Sequence, residues 1–303
     1  MKSTSTKSGL MKLMALFAVV RGYNILLLIL ALYLTAYFIF APEMPLYTFL
    51  ADYKMHLIVM ASALTIAAGY IINNFYDLQK DRISRPIYTY VSKFVSQNFK
   101  LIVYVVLNSI ALILAAVASW RVAIFFAIYQ FLVWFYSHKL NKLFFINNIF
   151  VTILQLLPFL ALLLYFNNHA PVIFMHGLFL GLIILQMDIA KDLFSYQADL
   201  IFQYRTMPTK WGLSTTKLLM VLIMLISIPV ALYLSTFEEV GHMRWYFYAI
   251  VFMLLIFAFV VWFLRAKWQY QLLYYAYKML LVAGVLSIVW IKINPLTLRQ
   301  FFI

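Results

Sequence analysis

Long apolar stretches, separated by short polar segments, make up most of this chain. Stretches of about 17 to 23 residues have the length that a helix needs to cross the hydrocarbon core of a bilayer. Nine such stretches occur, near residues 18–40, 55–76, 100–119, 121–137, 144–166, 171–193, 214–235, 244–264 and 274–291. The third and fourth are separated by almost nothing polar except Trp120 and Arg121. The pattern predicts an all-α, polytopic membrane protein with about nine transmembrane helices.

The composition agrees with this pattern, because 66% of the 303 residues are hydrophobic and 11% are charged. Such a chain has more apolar surface than one soluble core can bury. The first apolar stretch contains Arg21 and Asn24 and has no small-residue cleavage site, so we do not expect it to be a removable signal. We expect a single membrane domain over residues 1–303, in which residues 1–17 form a cytoplasmic N-terminal segment.

Basic residues outnumber acidic residues by 23 to 9, but they are scattered between the apolar stretches. They form no run that could follow a phosphate backbone, which excludes nucleic acid as the expected partner. With the N-terminus in the cytoplasm, 18 basic residues fall on the cytoplasmic side and 5 on the other side. The positive-inside rule therefore predicts a multi-pass protein, of a bacterial inner membrane, with its N-terminus inside and its C-terminus outside.

Five of the nine acidic residues form two clusters at or beyond the cytoplasmic ends of the second and sixth stretches: Asp77 and Asp81, then Asp188, Asp192 and Asp199. In the first cluster, Asn73, Asp77 and Asp81 recur every four residues, which predicts one stripe along a helix. Carboxylates at this spacing repel each other, and each costs up to about 3 kcal/mol near the hydrocarbon boundary. We therefore expect a cation that offsets this cost.

The second cluster repeats the spacing. Asp188 and Asp192 are one helical turn apart, and Asp199 returns to within about 20° of the direction of Asp188 if the helix continues. Hard cations such as Mg²⁺ take oxygen ligands and commonly bridge a few carboxylates to substrate phosphates. Two opposed carboxylate stripes are therefore expected to hold Mg²⁺ together with a diphosphate.

Two other interpretations of the clusters remain open. In one, the acids form an interfacial network of ion pairs with the basic residues that are near them in sequence, namely Lys80, Arg82, Arg85, Lys191 and Arg205. In the other, the acids mark the pathway of an ion-coupled transporter. Transport predicts acids near the middle of the membrane, whereas these acids lie toward one face.

Several segments together resemble one family. The segment NNFYDLQKD (73–81) resembles the NDxxDxxxD motif of the UbiA superfamily of intramembrane prenyltransferases, and DIAKD (188–192) with Asp199 resembles its second aspartate motif. Other segments are similar to family segments in order and spacing: RGYN (21–24), DRISRP (81–86), YSHKLNK (136–142) followed by Asn147 and Asn148, and TMPTKWG (206–212). Order and spacing agree from about residue 20 to residue 290.

The resemblance implies a bundle of helices around a central cavity that opens at the cytoplasmic side. It also implies an enzyme that uses Mg²⁺ to transfer a prenyl group from a polyprenyl diphosphate to an acceptor. The implied metal ligands are Asn73, Asp77, Asp81, Asp188, Asp192 and Asp199. The implied diphosphate-binding residues are Arg21, Asn24, Asn73, Arg85 and Lys142, and the implied catalytic residues are Asp77, Tyr136, Lys142 and Asp192.

The chain departs from the family motifs in two places. Asn74 stands where the first motif has aspartate, and Ser195 and Tyr196 stand where a middle carboxylate of the second motif would fall. These departures predict weaker metal binding or a different number of bound ions. Lys142 also has a simpler interpretation as a positive-inside charge, and Tyr136 as part of an interfacial aromatic belt.

The resemblance leaves the acceptor open. We favour an aromatic acceptor of the kind used as a quinone precursor, and a glycerol-phosphate lipid is the alternative. An inactive relative that binds prenyl lipid without turnover is a further alternative. The expected partners are a polyprenyl diphosphate, an aromatic or lipid acceptor, and the lipid bilayer.

Overall fold

The computed structural model describes the backbone of residues 2–140, 143–144 and 146–291, and the side chains of these residues from Met11 onward. All the regular secondary structure in these residues is helical, which confirms the all-α prediction. The α-helices are α1 (Lys2–Val19), α2 (Gly22–Thr35), α3 (Leu46–Ala51), α4 (Tyr53–Tyr76), α5 (Leu78–Ser84), α6 (Pro86–Ser92), α7 (Gln97–Ala118), α8 (Trp120–His138), α9 (Ile146–Phe166), α10 (Pro171–Ile201), α11 (Met207–Leu234), α12 (Arg244–Val260) and α13 (Lys267–Ser287).

Within the described residues, nine helical segments are long and apolar enough to cross a membrane. They are Gly22–Phe40, Tyr53–Tyr76, Gln97–Ala118, Trp120–His138, Ile146–Phe166, Pro171–Ile201, Met207–Leu234, Glu238–Phe263 and Lys267–Ile291. Large apolar side chains cover their outer faces: Ile113 is 61% exposed and Phe252 is 63% exposed. Such faces suit lipid as the solvent, so the prediction of a polytopic membrane protein is confirmed.

The first membrane span begins at Gly22 and not near residue 18. The apolar residues 13–19 extend the hydrophobic stretch backwards, but they belong to α1. Arg21 separates the two helices with a positive φ of 51°, a conformation that residues with side chains adopt rarely. The turn at Arg21, which hydropathy does not reveal, therefore sets the start of the span.

A single residue joins α7 and α8, the two helices that are least separated in the sequence. Ser119 has an extended backbone, with φ −173° and ψ 160°, which interrupts the helical hydrogen bonds. Its side chain accepts a hydrogen bond from the Val122 amide at 3.2 Å and so caps α8. Ser119 is therefore the boundary, and Trp120 and Arg121 lie in the first turn of α8.

One compact unit of the fold comprises the described residues within 1–32, 50–162 and 197–204. In this unit α4 packs against α7 and α8, and α6 packs against α1 and α5. Small residues allow close packing, because a Cβ added at Gly69 of α4 would lie only 2.8 Å from Cγ1 of Val133 of α8. Among the spans of the described residues α4 is the most buried, with 61% of its apolar stretch inside the protein.

The other unit comprises residues 33–49, 163–196 and 205–303, described as far as residue 291. Its helices α11, α12 and α13 pack in chain order. Buried hydrogen bonds also link α10 to α11 and α13: Tyr277 donates to Gln186 Oε1 at 2.9 Å, and Gln186 Nε2 donates to Ser227 at 2.7 Å. Polar groups in an apolar region must satisfy one another, so these bonds fix the three helices together.

The first acidic cluster does not lie on one uninterrupted helix, so that prediction is wrong. Helix α4 ends at Tyr76, Asp77 has φ −93° and ψ 7°, and α5 begins at Leu78. The amide of Asp77 still donates to the Asn73 carbonyl, and the amide of Asp81 donates to the Asp77 carbonyl, each at 2.9 Å. The three side chains are therefore spaced by one turn each, but Asp77 occupies a joint between two helices.

The second acidic cluster lies on a continuous helix, as its predicted common face requires. Helix α10 extends to Ile201, beyond Asp199. After α4 it is the most buried span among the described residues, with 44% of its apolar stretch inside the protein. The two helices that carry the acidic clusters are thus the two most buried spans among the described residues.

Candidate active site

Hydroxyl groups hold the carboxylates of the first acidic cluster. The Tyr204 hydroxyl donates to Asp77 Oδ1 at 2.8 Å. Asp81 is buried and accepts a hydrogen bond from Ser84 at 3.3 Å. Asn73 lies one turn before Asp77 at the end of α4 and is half-buried. Hydrogen bonds to ionised oxygens are stronger than bonds between neutral groups, so these donors favour fixed orientations of the two carboxylates.

The end of α10 lies in the same compact unit as the first acidic cluster. There Lys80 Nζ is 2.6 Å from Asp199 Oδ1, and it also lies 4.4 Å from the centroid of the Tyr204 ring. The Asp199 side chain is fully buried. These contacts bring Asp199, the last acid of the second cluster, to the segment that carries the first cluster.

Asp188 and Asp192 lie farther back along α10, in the part that belongs to the other unit. Asp188 forms an ion pair with Lys191, one turn on, and the Asp192 side chain is buried at 1% exposure. Lys191 and Lys80 are two of the five basic residues of the ion-network interpretation, and each pairs with an acid of the second cluster. That Asp188 and Asp192 face the first cluster stays a prediction.

Tyrosine rings surround Arg21. Its guanidinium lies 4.8 Å from the centroid of the Tyr70 ring and 6.0 Å from that of Tyr88. Asn24 Nδ2 donates to the Tyr70 hydroxyl at 3.2 Å. Both residues that the RGYN segment contributes to the predicted diphosphate site thus contact one tyrosine of α4, the helix that ends at the first acidic cluster.

Tyr88 of α6 lies among charged groups near the first acidic cluster. Its hydroxyl donates to the Val19 carbonyl at 3.4 Å. Burial raises the pKa of Tyr88, while Arg21 opposes this shift and Asp81 adds to it. Arg85, another residue of the predicted diphosphate site, forms the joint between α5 and α6, where Pro86 begins α6. The positive charge of Arg85, like that of Arg21, opposes the rise in the pKa of Tyr88.

The position that departs from the first motif, Asn74, is buried and contacts a buried lysine. Lys100 Nζ donates to Asn74 Oδ1 at 3.0 Å, and Lys100 is 0% exposed. A buried ammonium group is costly unless it is paired or hydrogen-bonded. Asn74 therefore supplies a neutral partner to this cation, beside the acids at the end of α4.

Tyr136 contacts the start of α9. Its hydroxyl donates to Asn147 Oδ1 at 2.6 Å, and its ring stacks on Phe150 with centroids 6.4 Å apart. The neighbouring His138 contacts the Tyr76 hydroxyl at 3.0 Å, one residue before Asp77. Lys142, predicted as both a catalytic and a diphosphate-binding residue, lies outside the described residues.

Comparison with known proteins identifies the family. The sequence model of the UbiA prenyltransferase family matches residues 48–282, which is more than half of the chain. The chain belongs to the UbiA prenyltransferase family. The prediction from the sequence motifs is thereby confirmed. No curated protein matches the chain in sequence.

Solved structures of UbiA proteins share the fold. A UbiA homologue from Archaeoglobus fulgidus bound to GPP and Mg²⁺ is 14% identical, with a TM-score of 0.67 over 91% of this chain and 99% of that one. A structure described as digeranylgeranylglyceryl phosphate synthase in membranes is 18% identical, with a TM-score of 0.64 over 92% and 97% of the two chains. A UbiA homologue from Aeropyrum pernix K1 is 13% identical, with a TM-score of 0.61 over 91% and 98%. At these low sequence identities, the comparison shows a shared fold and nothing more specific.

The donor atoms of this UbiA chain suit Mg²⁺ in their chemistry, because they are carboxylate and amide oxygens. Two of the carboxylates, those of Asp188 and Asp199, already hold lysine ammonium groups. Among the residues that the structure describes, no three His, Cys, Asp or Glu side chains are grouped closely enough to hold an ion by themselves. Mg²⁺ usually binds one or two carboxylates together with waters and substrate phosphates, so the residues fit an ion that a diphosphate helps to hold.

Sequence reasoning missed several residues of the site. Tyr204, Tyr88 and Lys100 contact the acids or their neighbours, yet each lies outside the segments with the acidic spacing. Tyr204 had one available signal, since it follows the second acidic cluster by five residues. Tyrosines and lysines are frequent near membrane interfaces, so sequence alone cannot distinguish these residues from interfacial ones.

Proposed function

We propose that this chain transfers a prenyl group from a prenyl diphosphate to an acceptor and needs Mg²⁺ to do so. One observation carries the proposal: the end of the helix with the second acidic cluster contacts the first cluster, through Tyr204 with Asp77 and Asp199 with Lys80. The solved UbiA homologues from Archaeoglobus fulgidus that are bound to GPP or DMAPP together with Mg²⁺ support the same chemistry.

Prenyl transfer requires the bond between the terminal allylic carbon and the diphosphate oxygen to break. The diphosphate leaves with the electron pair, the acceptor atom attacks the carbon, and the acceptor loses a proton. Bound Mg²⁺ supplies charge neutralisation for the leaving diphosphate. In our proposal its ligands are Asn73, Asp77, Asp81, Asp188, Asp192 and Asp199.

Fixed cations complete the proposed diphosphate site. The charges of Arg21 and Arg85 both lower the pKa of Tyr88, and the charge of Asp81 raises it. The two arginines and Asp81 therefore lie near the same tyrosine, close to the first acidic cluster. We assign them, with Asn24, Asn73 and Lys142, to binding the diphosphate. Tyr136, with Lys142, is proposed to line the reacting end of the donor.

For the acceptor, we propose an aromatic compound of the quinone-precursor type first and a glycerol-phosphate lipid second. The second candidate has support of its own, since the structure described as digeranylgeranylglyceryl phosphate synthase shares the fold over 97% of its length. The two acceptors give products of different mass and polarity.

Mass spectrometry of membrane lipids tests the proposal. Cells that express the wild-type chain are compared with cells that express Asp77→Ala at equal membrane abundance. A prenylated compound present only with the wild type identifies donor and acceptor together. Purified protein with Mg²⁺, a labelled prenyl diphosphate and both acceptor classes then tests the reaction directly. Absence of transfer in every combination would favour the inactive, lipid-binding alternative.

A further inference from the structure

Tyr204 lies just beyond α10 in a turn that determines its direction. The Tyr204 amide donates to the Asp199 carbonyl at 2.9 Å, and the Gln203 amide donates to the Leu200 carbonyl at 3.3 Å. This pair of bonds is the pattern of a Schellman motif, in which the residue after the helix adopts a left-handed conformation. Here that residue is Gln203, with φ 56°. The turn folds Tyr204 back toward the side of α10 that carries Asp199.

The Tyr204 side chain connects three charged groups. Its hydroxyl donates to Asp77 Oδ1 at 2.8 Å, and the Lys80 ammonium lies over its ring, 4.4 Å from the ring centroid. Lys80 in turn pairs with Asp199 at 2.6 Å. Asp77, Lys80, Asp199 and Tyr204 form a closed group, the Tyr204 cluster. Tyr204 is only 7% exposed, and exclusion of water strengthens each of these interactions.

The surroundings of Tyr204 make its hydroxyl a fixed hydrogen-bond donor. The side chain is buried, and a buried hydroxyl needs a hydrogen-bond partner, which the Asp77 carboxylate supplies at 2.8 Å. A carboxylate that keeps one oxygen on a fixed donor presents its other oxygen in a defined direction.

We propose that Tyr204 is a positioning residue of the active site, which orients the Asp77 carboxylate and, through Lys80 and Asp199, joins the end of α10 to it. The inference rests on the proposed role of Asp77 as a ligand of Mg²⁺. Residues that orient a metal ligand typically change metal affinity or activity by about 10- to 100-fold when they are replaced.

Tyr204→Phe tests this role, because it removes the donor to Asp77 and keeps the ring beside Lys80. The matched control is Tyr129→Phe, since the Tyr129 hydroxyl is also buried but donates to a backbone group, the Leu154 carbonyl at 2.9 Å, and not to a carboxylate. Two quantities are measured on purified protein: the Mg²⁺ concentration for half-maximal transfer, and the rise in unfolding temperature that Mg²⁺ causes in the presence of a non-reacting diphosphate.

We expect Tyr204→Phe to need on the order of 10-fold more Mg²⁺ in both measurements. Tyr129→Phe should lose stability without changing the Mg²⁺ dependence. Equal Mg²⁺ dependence in Tyr204→Phe and wild type would overturn the positioning role. If Tyr204→Phe does not accumulate in the membrane, Tyr204→Gln and Tyr204→Leu replace it, because only glutamine retains a donor. Equal Mg²⁺ dependence in those two variants would also overturn it.

The two proposals fail in different ways. If the wild type transfers prenyl groups, Asp77→Ala does not, and Tyr204→Phe behaves as wild type, the positioning role alone is wrong. If the wild type shows neither transfer nor stabilisation by Mg²⁺ with a diphosphate, the proposed function is wrong and the positioning role falls with it.

Discussion

Three charged side chains near the candidate active site have a nearby partner of suitable chemistry. Asp77 has a tyrosine hydroxyl, Asp199 has the Lys80 ammonium, and Lys100 has the Asn74 amide. Partners of this kind reduce the cost of placing charge where water is scarce. Replacing one member of such a pair therefore leaves the other member without its partner.

Replacement of either Asp77 or Asp192 by alanine should abolish transfer. If each holds Mg²⁺ against the leaving diphosphate, its loss should lower kcat by at least about 100-fold, the scale seen when one stabilising contact to a developing negative charge is removed. The measurement is turnover of a labelled prenyl diphosphate at equal protein amounts. Glu239→Ala, at an exposed acid far along the chain from both clusters, is the control and should remain active.

The pair of Asn74 and Lys100 predicts a stability effect. Asn74→Leu removes the partner of a fully buried ammonium group and should lower the free energy of unfolding by about 1.5 to 3 kcal/mol. The double variant Asn74→Leu/Lys100→Met also removes the charge, so it should regain most of that loss. Unfolding in detergent by denaturant measures both. A double variant no more stable than Asn74→Leu would contradict this explanation.

At the scale of helices, the sequence predicts the membrane spans better than it predicts where the helices end. Hydropathy located all nine spans in the described residues, because lipid imposes a length and an apolar composition on a helix that crosses it. It did not locate the turn at Arg21, the joint at Asp77 or the end of α10, because these depend on a single residue's backbone conformation and on local hydrogen bonds. Acidic spacing identified the two clusters, but the contacts of Tyr204 with Asp77 depend on how the chain folds back.

The left-handed residue at the end of α10 leads to a prediction about this element. Gln203 has φ 56°, where a residue with a side chain is less stable than glycine by roughly 1 to 2 kcal/mol. Gln203→Gly should therefore raise the free energy of unfolding, by less than that amount because glycine gains more freedom in the unfolded chain. Gln203→Val, branched at Cβ, should lower it. Thermal unfolding of the three proteins gives the order, and a valine variant as stable as the glycine variant would contradict it.

For the whole molecule, the sequence predicts an orientation in the membrane that can be tested. The charge distribution predicts that the loops with the acidic clusters face the cytoplasm. The chain has no cysteine, so single cysteines can be introduced without a background. Lys93→Cys and Glu43→Cys place them at exposed positions on opposite predicted sides.

A membrane-impermeant maleimide should label Glu43→Cys in intact spheroplasts and Lys93→Cys only in inside-out vesicles. Labelling in both preparations after detergent treatment confirms that each thiol is accessible. The reverse pattern would put the candidate active site on the outer face and would invert the orientation throughout.

The one-residue joint at Ser119 has a consequence for biosynthesis. Only one residue separates α7 from α8, so the two helices have almost no connecting chain. We therefore expect them to enter the bilayer together as a helical hairpin. A charged residue placed in the middle of either helix should therefore hinder the insertion of both.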